Sequence, residues 1–550
     1  MKPPSDKKDP LALITTEELV RLPANKALEA IIDAPRPVSL VQSLAEEDLY
    51  WLINDIGIQD ALPVLSLASN DQWQYLLDLE LWTKDRLDTE ATSHWLGLLM
   101  KADPERFMIW SLREHLELIE LFLIGHVDVK IREHDQSPSD FADEYFTLDD
   151  TFYIRIGEKN YEKTTQEFLQ RLADYDNEKY QQVLLELAAL IPAETEEQIY
   201  RLRNVRLAEK GFLPFEEAVG IYQYRNPESL RQQEHESQSA ARAHPADETA
   251  PLTTSILLRE HDLFYKALQQ IDDDAFLERL EREFAAMCNQ IICADSRSVR
   301  DKEALLATVA KACGYLSIGI DRVVDKNPQE AFRLVQDFPL QEIFRVGFGA
   351  SLELRLKAEK WLKESWFLRQ GLDFNFWDEE WAGILEGLLK KHPLLYASLS
   401  EGEPYREFKT LEEVVQCQQA LDEMMAVDDL LSQVFFQGDV ANTDTVFSPV
   451  TFKSLLLTCW ARHQLGLLDN LQPISEKELK AFLAGPFVGK EAKQAFWDWL
   501  ENRCGMASKD LAQRVGRPVD HLLGELEEEY GTVSPKDLDV RYVRLFQVTP

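Results

Sequence analysis

The triplet Arg-Glu-His occurs three times, at residues 113–115, 132–134 and 259–261. At the first, His115 has Glu114, Glu117 and Glu120 close by in sequence. An imidazole beside carboxylates on one helix can hold a divalent metal or pass a proton. No second His stands at an i, i+4 spacing in that segment, which favours a solvated or capping histidine. Asp174, Asp176 and Glu178 begin like a calcium loop, but Lys179 and Leu185 occupy the positions where the loop needs Gly and a bidentate Glu. Val183, Leu184 and Leu187 make the segment the front of an amphipathic helix, where acids complement the dipole. The run from Gly485 to Glu491 imitates a phosphate loop. It has three residues between its glycines instead of four, and Glu491 stands where Ser or Thr must bind magnesium. It reads as a helix-to-helix turn. Gly347 and Gly349 lack the third glycine and the preceding strand of a dinucleotide site, and read as close helix packing or a bend. There is no HExxH and no G-x-S-x-G elbow. These patterns predict no catalytic residue, no metal site and no cofactor.

Six cysteines lie at 288, 293, 313, 417, 459 and 504, with no C-x-x-C pair and no nearby His to complete a zinc spacing. Buried, reduced thiols in a reducing compartment are expected.

The densest aromatic stretch holds Trp361, Trp366, Phe367, Phe374, Phe376, Trp377 and Trp381, interleaved with Lys360, Lys363 and Arg369. Such a group can stack bases or anchor a partner protein, but the i, i+4 spacing of Trp377 and Trp381 favours helical core. If one surface is functional, the first choice is Trp361, Trp366, Phe374, Phe376, Trp377 and Trp381. A second group, Phe496, Trp497 and Trp499, sits in an ordinary amphipathic helix.

Charge narrows the partners. The 550 residues carry 97 acids against 59 Lys and Arg, a net charge of −38. A surface this acidic disfavours phosphate backbones and anionic lipid, and favours solubility and basic partners. The first ten residues have no apolar signal region, and the longest apolar stretch, near Leu116 to Val127, is broken by Glu117 and Glu120. A cytoplasmic protein is expected.

Helices must position these residues. Ser43-Leu44-Ala45, Asp48 and Asp55 recur as Ser66-Leu67-Ala68, Asp71 and Asp78, always 23 residues on, with Tyr50 and Ile53 opposite Trp73 and Leu76. A repeat of that length is a pair of short helices, and stacked pairs form a superhelix. One helix is expected over 16–33. Ser43 and Glu46 form an expected capping box for the next, with Gly57 at its end. Ser69 to Gln72 opens the equivalent helix, and a degraded third copy runs through Ala91, Trp95, Leu98 and Leu99. Beta-branched and aromatic runs at 126–157 around Asp149-Asp150-Thr151 predict a hairpin or three-stranded meander. Asp272 to Asp274 should cap a helix from Ala275 to Met287.

The expected organisation is a flexible tail (1–15), a helical superhelix (16–125), a small β insertion (126–157), a helical segment (158–225), a flexible linker (226–253), a helical domain (254–395) and a C-terminal helical domain (396–550). Residues 540–548 read equally as a strand or a short helix. The fold class is mainly α: superhelical repeats and helical bundles with a small β insertion.

The pattern Ser-Leu-x-x-x-Asp-x-x-x-Leu-Ile from Ser43, followed by Gln59-Asp60-Ala61-Leu62-Pro63-Val64-Leu65, resembles the intracellular N-terminal domain of MgtE-type magnesium transporters. The likeness covers about residues 20–125 and implies a superhelix of short helices. That family's magnesium response uses acids shared with modules that have no counterpart here, so the resemblance brings no metal ligand. Over its whole length the chain is similar to a bacterial family of unknown function, long, acidic and mostly helical.

The expected function is that of a non-enzymatic helical scaffold or regulator with a protein partner, without nucleic acid, membrane insertion or cofactor. The alternative is an acidic regulator that binds a divalent cation such as magnesium weakly, and a third class is an enzyme whose site is assembled from dispersed residues.

Overall fold

The computed structural model describes residues 15–83, 85–157, 159–187, 192–232, 264, 266, 273–296, 302–324, 327–398, 403–434, 449–468, 470–485, 490–536 and 538–549. The expected tail apart from Thr15, most of the expected linker, Asp272 and the centre of the phosphate-loop imitation, 486–489, lie outside these residues. The fold is mainly α, with only two- and three-stranded sheets. The chain forms two compact units, one of residues 1–223, 232–313 and 326–344, the other of 224–231, 314–325 and 345–550.

The first unit opens with α1 (Thr16–Val20), α2 (Ala24–Ile32), α3 (Pro37–Gln42), α4 (Glu46–Ile56), α5 (Leu62–Leu67) and α6 (Asn70–Glu80). The single helix expected over 16–33 is two, because Pro23 cannot continue the first; Thr15 and Glu18 form the capping box of α1. The capping box expected at Ser43 and Glu46 is absent. Ser43 instead closes α3, its hydroxyl donating to the Leu40 carbonyl, and Ala45 precedes α4. Ser66 makes a similar turn-back bond to Pro63, but from inside the last turn of α5 rather than past its end. Ser69 and Gln72 do form a capping box. Gly57 ends α4 at φ 97°, a backbone that glycine adopts without strain.

Ile53 and Leu76 are each 1% exposed, on α4 and α6. The two 11-residue helices begin at Glu46 and Asn70, a spacing one residue longer than the sequence match. The repeated aspartates therefore differ in role: Asp48 and Asp78 are buried, Asp55 and Asp71 exposed. Gln72 joins one pair to the other, donating from Nε2 to the carbonyls of Val41 and Leu44 at 2.9 Å.

A hairpin of β1 (Trp82–Thr83) and β2 (Arg86–Leu87) leads to α7 (Thr89–Ala102), α8 (Pro104–Glu114) and α9 (Leu116–Ile124). Trp95, Leu98 and Leu99 are core residues of α7. The β insertion has three antiparallel strands, β3 (Val127–Ile131), β4 (Phe146–Thr147) and β5 (Phe152–Ile156), in the order β3-β5-β4. The hairpin is as expected, but β5 is central, so the order is not that of a meander. Asp149 shapes the turn by accepting the amides of Thr151 and Phe152.

Next come α10 (Lys159–Tyr175), α11 (Asn177–Leu187), α12 (Pro192–Glu209) and α13 (Phe215–Ala218). α12 supplies the cations that α4 and α6 need. Arg206 grips buried Asp78 with two bonds of 2.7 and 2.8 Å, and Lys210, just past α12, lies 3.2 Å from Glu46 and 3.9 Å from Glu47. Burial outweighs Lys210 at Glu47 and pushes its carboxyl up to about 7.

The remaining elements are α14 (Pro227–Gln232), α15 (Asp274–Ala294), α16 (Lys302–Val324), α17 (Pro328–Asp337), α18 (Leu340–Leu362), α19 (Trp366–Arg369), α20 (Asp378–Leu388), the hairpin β6 (Leu395–Tyr396) and β7 (Tyr405–Arg406), α21 (Leu411–Val434), α22 (Phe452–Gln464), β8 (Ile474–Ser475), α23 (Glu476–Leu483), α24 (Lys490–Cys504), α25 (Ser508–Tyr530) and β9 (Val548–Thr549). Asp273 caps α15, which extends beyond Met287 to Ala294. Among the described residues α16 holds the one helical stretch long and apolar enough to cross a bilayer, Glu303–Val324, and 72% of its most apolar window is buried in the protein.

In the second unit α18 crosses the last part of α16 so closely that a Cβ on Gly347 would lie 1.8 Å from the Tyr315 carbonyl oxygen. The chain end is neither of the expected single elements. A 3₁₀ turn at Val540–Tyr542 precedes β9, which pairs in parallel with β8. Gln547 fixes this end, its amide donating to Thr458 and its side chain to Ser454.

Gly347→Ala is expected to lower unfolding free energy in urea by about 1–3 kcal/mol, because the crossing backbones must part. Glu47 gives a pH-dependent prediction. Its folded pKa is raised, so its contribution is fully present below the ordinary 4.5 and is lost as pH rises through about 7. Stability of Glu47→Gln should lack that decline, on the order of 2 kcal/mol between those limits, in urea titrations across pH.

Candidate functional site

Among the described residues, each unit has a concave surface that carries polar side chains. In the first unit α7 packs against α5 and α10, and a groove of about 550 Å³ opens beside it, its lining including Gln59, Glu80, Asp88, Glu90, His94 and Lys101. Asp88 is committed as the cap of α7, accepting the Ala91 amide, and Glu80 accepts the Tyr50 hydroxyl at 2.9 Å. Glu90, His94 and Lys101 are exposed at the mouth. His94 Nε2 lies 3.5 Å from Gln59 Nε2, and neither Glu90 nor Lys101 forms an ion pair among the described residues. The groove offers both charges and several donors.

The histidines of the Arg-Glu-His triplets are not gathered. His115 stacks on Trp110 with ring centroids 4.0 Å apart; burial, aided by Arg206, pushes its pKa down to about 4 and keeps it neutral. His134 is exposed, and His261 lies outside the described residues. Asp176 accepts the Lys179 amide at the start of α11, a helix cap in place of a calcium ligand. Among the described residues no group of three or more His, Cys, Asp or Glu is placed to hold a metal. None of the six cysteines is in a disulfide, and burial raises the thiols of Cys293 and Cys504 to about 11 and that of Cys417 to about 12.

The aromatic stretch forms one cluster in the second unit. Trp361, Trp366, Phe376 and Trp377 are buried; Phe374 and Trp381 keep part of their rings exposed. Trp377 packs between Trp361 at 5.8 Å, Phe367 at 5.3 Å and Trp381 at 5.9 Å. Trp381 stacks flat on Phe452, 5.1 Å away at 9°. Any partner of this cluster is met by Phe374 and Trp381 alone. In the second aromatic group Phe496 and Trp499 are buried and Trp497 half-buried.

Asp428, 4% exposed on α21, orders the cluster. Its carboxylate accepts the Trp361 indole N–H at 3.1 Å and the amides of Trp366 and Phe367 at 2.9 and 3.0 Å. These amides are the free donors that every helix start leaves, here those of α19. Burial pushes the Asp428 carboxyl up, and the three donors only partly offset it.

Beside the cluster lies a cavity of about 170 Å³, its lining including Trp377, Asp378, Trp381, Glu423, Phe452 and Arg517. Asp378 has φ 63° and ψ 171°, a backbone region kept almost entirely to glycine. Lys453 holds it at 2.8 Å and reaches Glu525 at 2.6 Å, while His521 Nδ1 sits 3.1 Å from the same Glu525 oxygen. Burial pulls the Lys453 ammonium down, and the two carboxylates more than restore it. Burial likewise raises Asp378 and Glu423, against the pull of Lys453 and Arg517 respectively. Sequence reasoning placed Trp377 and Trp381 here but missed Asp428, Lys453 and Phe452. For Asp428 a signal existed: an acid inside the apolar face of Val427, Leu430 and Leu431 needs buried donors.

Stacked short helices and an aromatic-centred helical unit define a mainly α protein. The chain belongs to a family of unknown function, DUF6178, which it matches over residues 8–549. Comparison with curated proteins and with solved structures finds no match.

Asp428→Ala removes the acceptor of three buried donors. It is expected to destabilise the protein by roughly 3 kcal/mol in chemical denaturation, with a loss of near-ultraviolet circular dichroism from the tryptophans.

Proposed function

We propose that the chain is a non-enzymatic interaction protein, acting in a reducing cytoplasm, whose first unit receives a segment of a partner protein. The observation that carries this reading is the groove beside α7. It is large and polar, and Glu90, His94 and Lys101 stand at its mouth without strong internal partners. The stacked helix pairs support it, since such arrays present extended surfaces between repeats. The likeness of residues 20–125 to the MgtE N-terminal domain fits the same use of a superhelix. The net charge of −38 favours a basic segment. The cation-sensor reading has less support, because two of the three acids lining the groove, Asp88 and Glu80, already serve as a cap and a hydroxyl acceptor, which leaves Glu90 alone there.

The test compares wild type with Glu90→Arg, His94→Arg, a double change confined to exposed positions. A protein captured from the native cytosol is purified and titrated against both. The double variant should bind it at least roughly tenfold more weakly with an unchanged circular dichroism spectrum. Equal affinity for both, or no captured protein, overturns the groove assignment. In parallel, magnesium should shift the melting temperature no more than sodium at matched ionic strength; a saturable magnesium shift would favour the cation-sensor reading instead.

A further inference from the structure

The cavity beside Trp377 has a chemistry of its own, separate from the groove. Its walls are aromatic: Trp377, Trp381 and Phe452, the last two stacked in parallel. Its charge is predominantly negative. Asp378, Glu380 and Glu423 line it and Glu525 stands beside it, against two permanent cations, Lys453 and Arg517. Both cations are already engaged. Lys453 lies between Asp378 and Glu525, and Arg517 lies 3.3 Å from Glu423. Glu380 makes no ion pair among the described residues. Trp377, 0% exposed, brings a further demand: its indole N–H is buried without an acceptor. An indole N–H can only donate, so what satisfies it must bring an oxygen or similar acceptor.

We propose that this cavity binds a small organic ammonium ion that carries a hydrogen-bond acceptor, an amino alcohol being the simplest such compound. The aromatic faces attract the cation, the surplus carboxylates neutralise it, and its acceptor takes the Trp377 N–H. About 170 Å³ suits a body near the size of benzene, for which a cavity of about 150 Å³ suffices. An anion is disfavoured because each cation it would need is held by a carboxylate. A neutral apolar ligand would leave Glu380, which has no ion pair among the described residues, facing it without a cation.

The test is calorimetric titration of the full-length chain, with tryptophan fluorescence as second readout. The probes are choline, its neutral isostere with carbon in place of the ammonium nitrogen, and benzoate as an anion. Choline should saturate a single site and change the fluorescence, and the isostere should bind roughly tenfold more weakly. Trp381→Ala and Glu423→Gln should each weaken choline roughly tenfold, while Trp381→Phe retains most of the affinity. Glu90→Arg, His94→Arg should leave the choline titration unchanged, so failure of the groove reading and failure of this one are distinguishable. Absence of saturable choline binding by the wild type, equal binding of the isostere, or preference for benzoate overturns the proposal.

Discussion

The second unit depends on one buried carboxylate. Asp428 receives an indole N–H and two backbone amides, and those three bonds tie α21 to the end of α18 and to the start of α19. Each donor would be costly to leave unpaired out of water. With them satisfied, Trp361 and Phe367 are fixed, and Trp377 packs against both. Trp377 in turn leads straight into Asp378, whose φ of 63° is tolerable only where neighbours hold it. Lys453 from α22 supplies that hold. A cap on one helix thus sets the aromatic cluster, and the cluster sets the strained acid at the cavity wall.

The first unit reaches the same end by a different distribution of charge. Its repeat buries Asp78 and Glu47 on α6 and α4, where carboxylates are expensive unless paired. α12 and the residue just past it bring Arg206 and Lys210 to them. Arg206 meets Asp78 with two parallel bonds, a geometry a guanidinium can provide and an ammonium cannot. Lys210 stands 3.9 Å from Glu47 and leaves its carboxyl high. The helix pairs are therefore closed on one side by a charged helix, while on α7 the polar groups at the groove mouth remain turned to solvent.

Much of the fold was legible in the sequence, and the limits have physical causes. Periodicity located the helix pairs, the β insertion and the burial of Ile53 and Leu76, because apolar spacing reports a buried face directly. It misjudged helix ends. Ser43 can cap the helix after it or close the helix before it, and both leave the same local sequence. The 23-residue match likewise equated Asp48 with Asp71 and Asp55 with Asp78, although only one of each pair is buried. The aromatic cluster was visible as composition, and its core character as the i, i+4 spacing of Trp377 and Trp381. Its organiser was not. Asp428 lies 61 residues beyond Phe367, and nothing in a linear pattern reports which distant amides a carboxylate will meet.

The net charge also reads differently once the sites are in place. A charge of −38 spread evenly would act only through long-range repulsion, screened within about 10 Å at 0.1 M salt. In this protein some acids are withdrawn from that average: Asp428 is spent on donors and Asp78 on Arg206. Acids such as Glu90 and Glu380 stay open at concave surfaces. Concavity matters because low-dielectric walls strengthen what a few charges do there, beyond the reach of bulk screening. In the proposed readings, selectivity for positive ligands would arise from two local arrangements rather than from the overall charge. The groove, with Lys101 and His94 among its acids, would discriminate by pattern. The cavity, with aromatic walls and engaged cations, would discriminate by the sign and size of what enters.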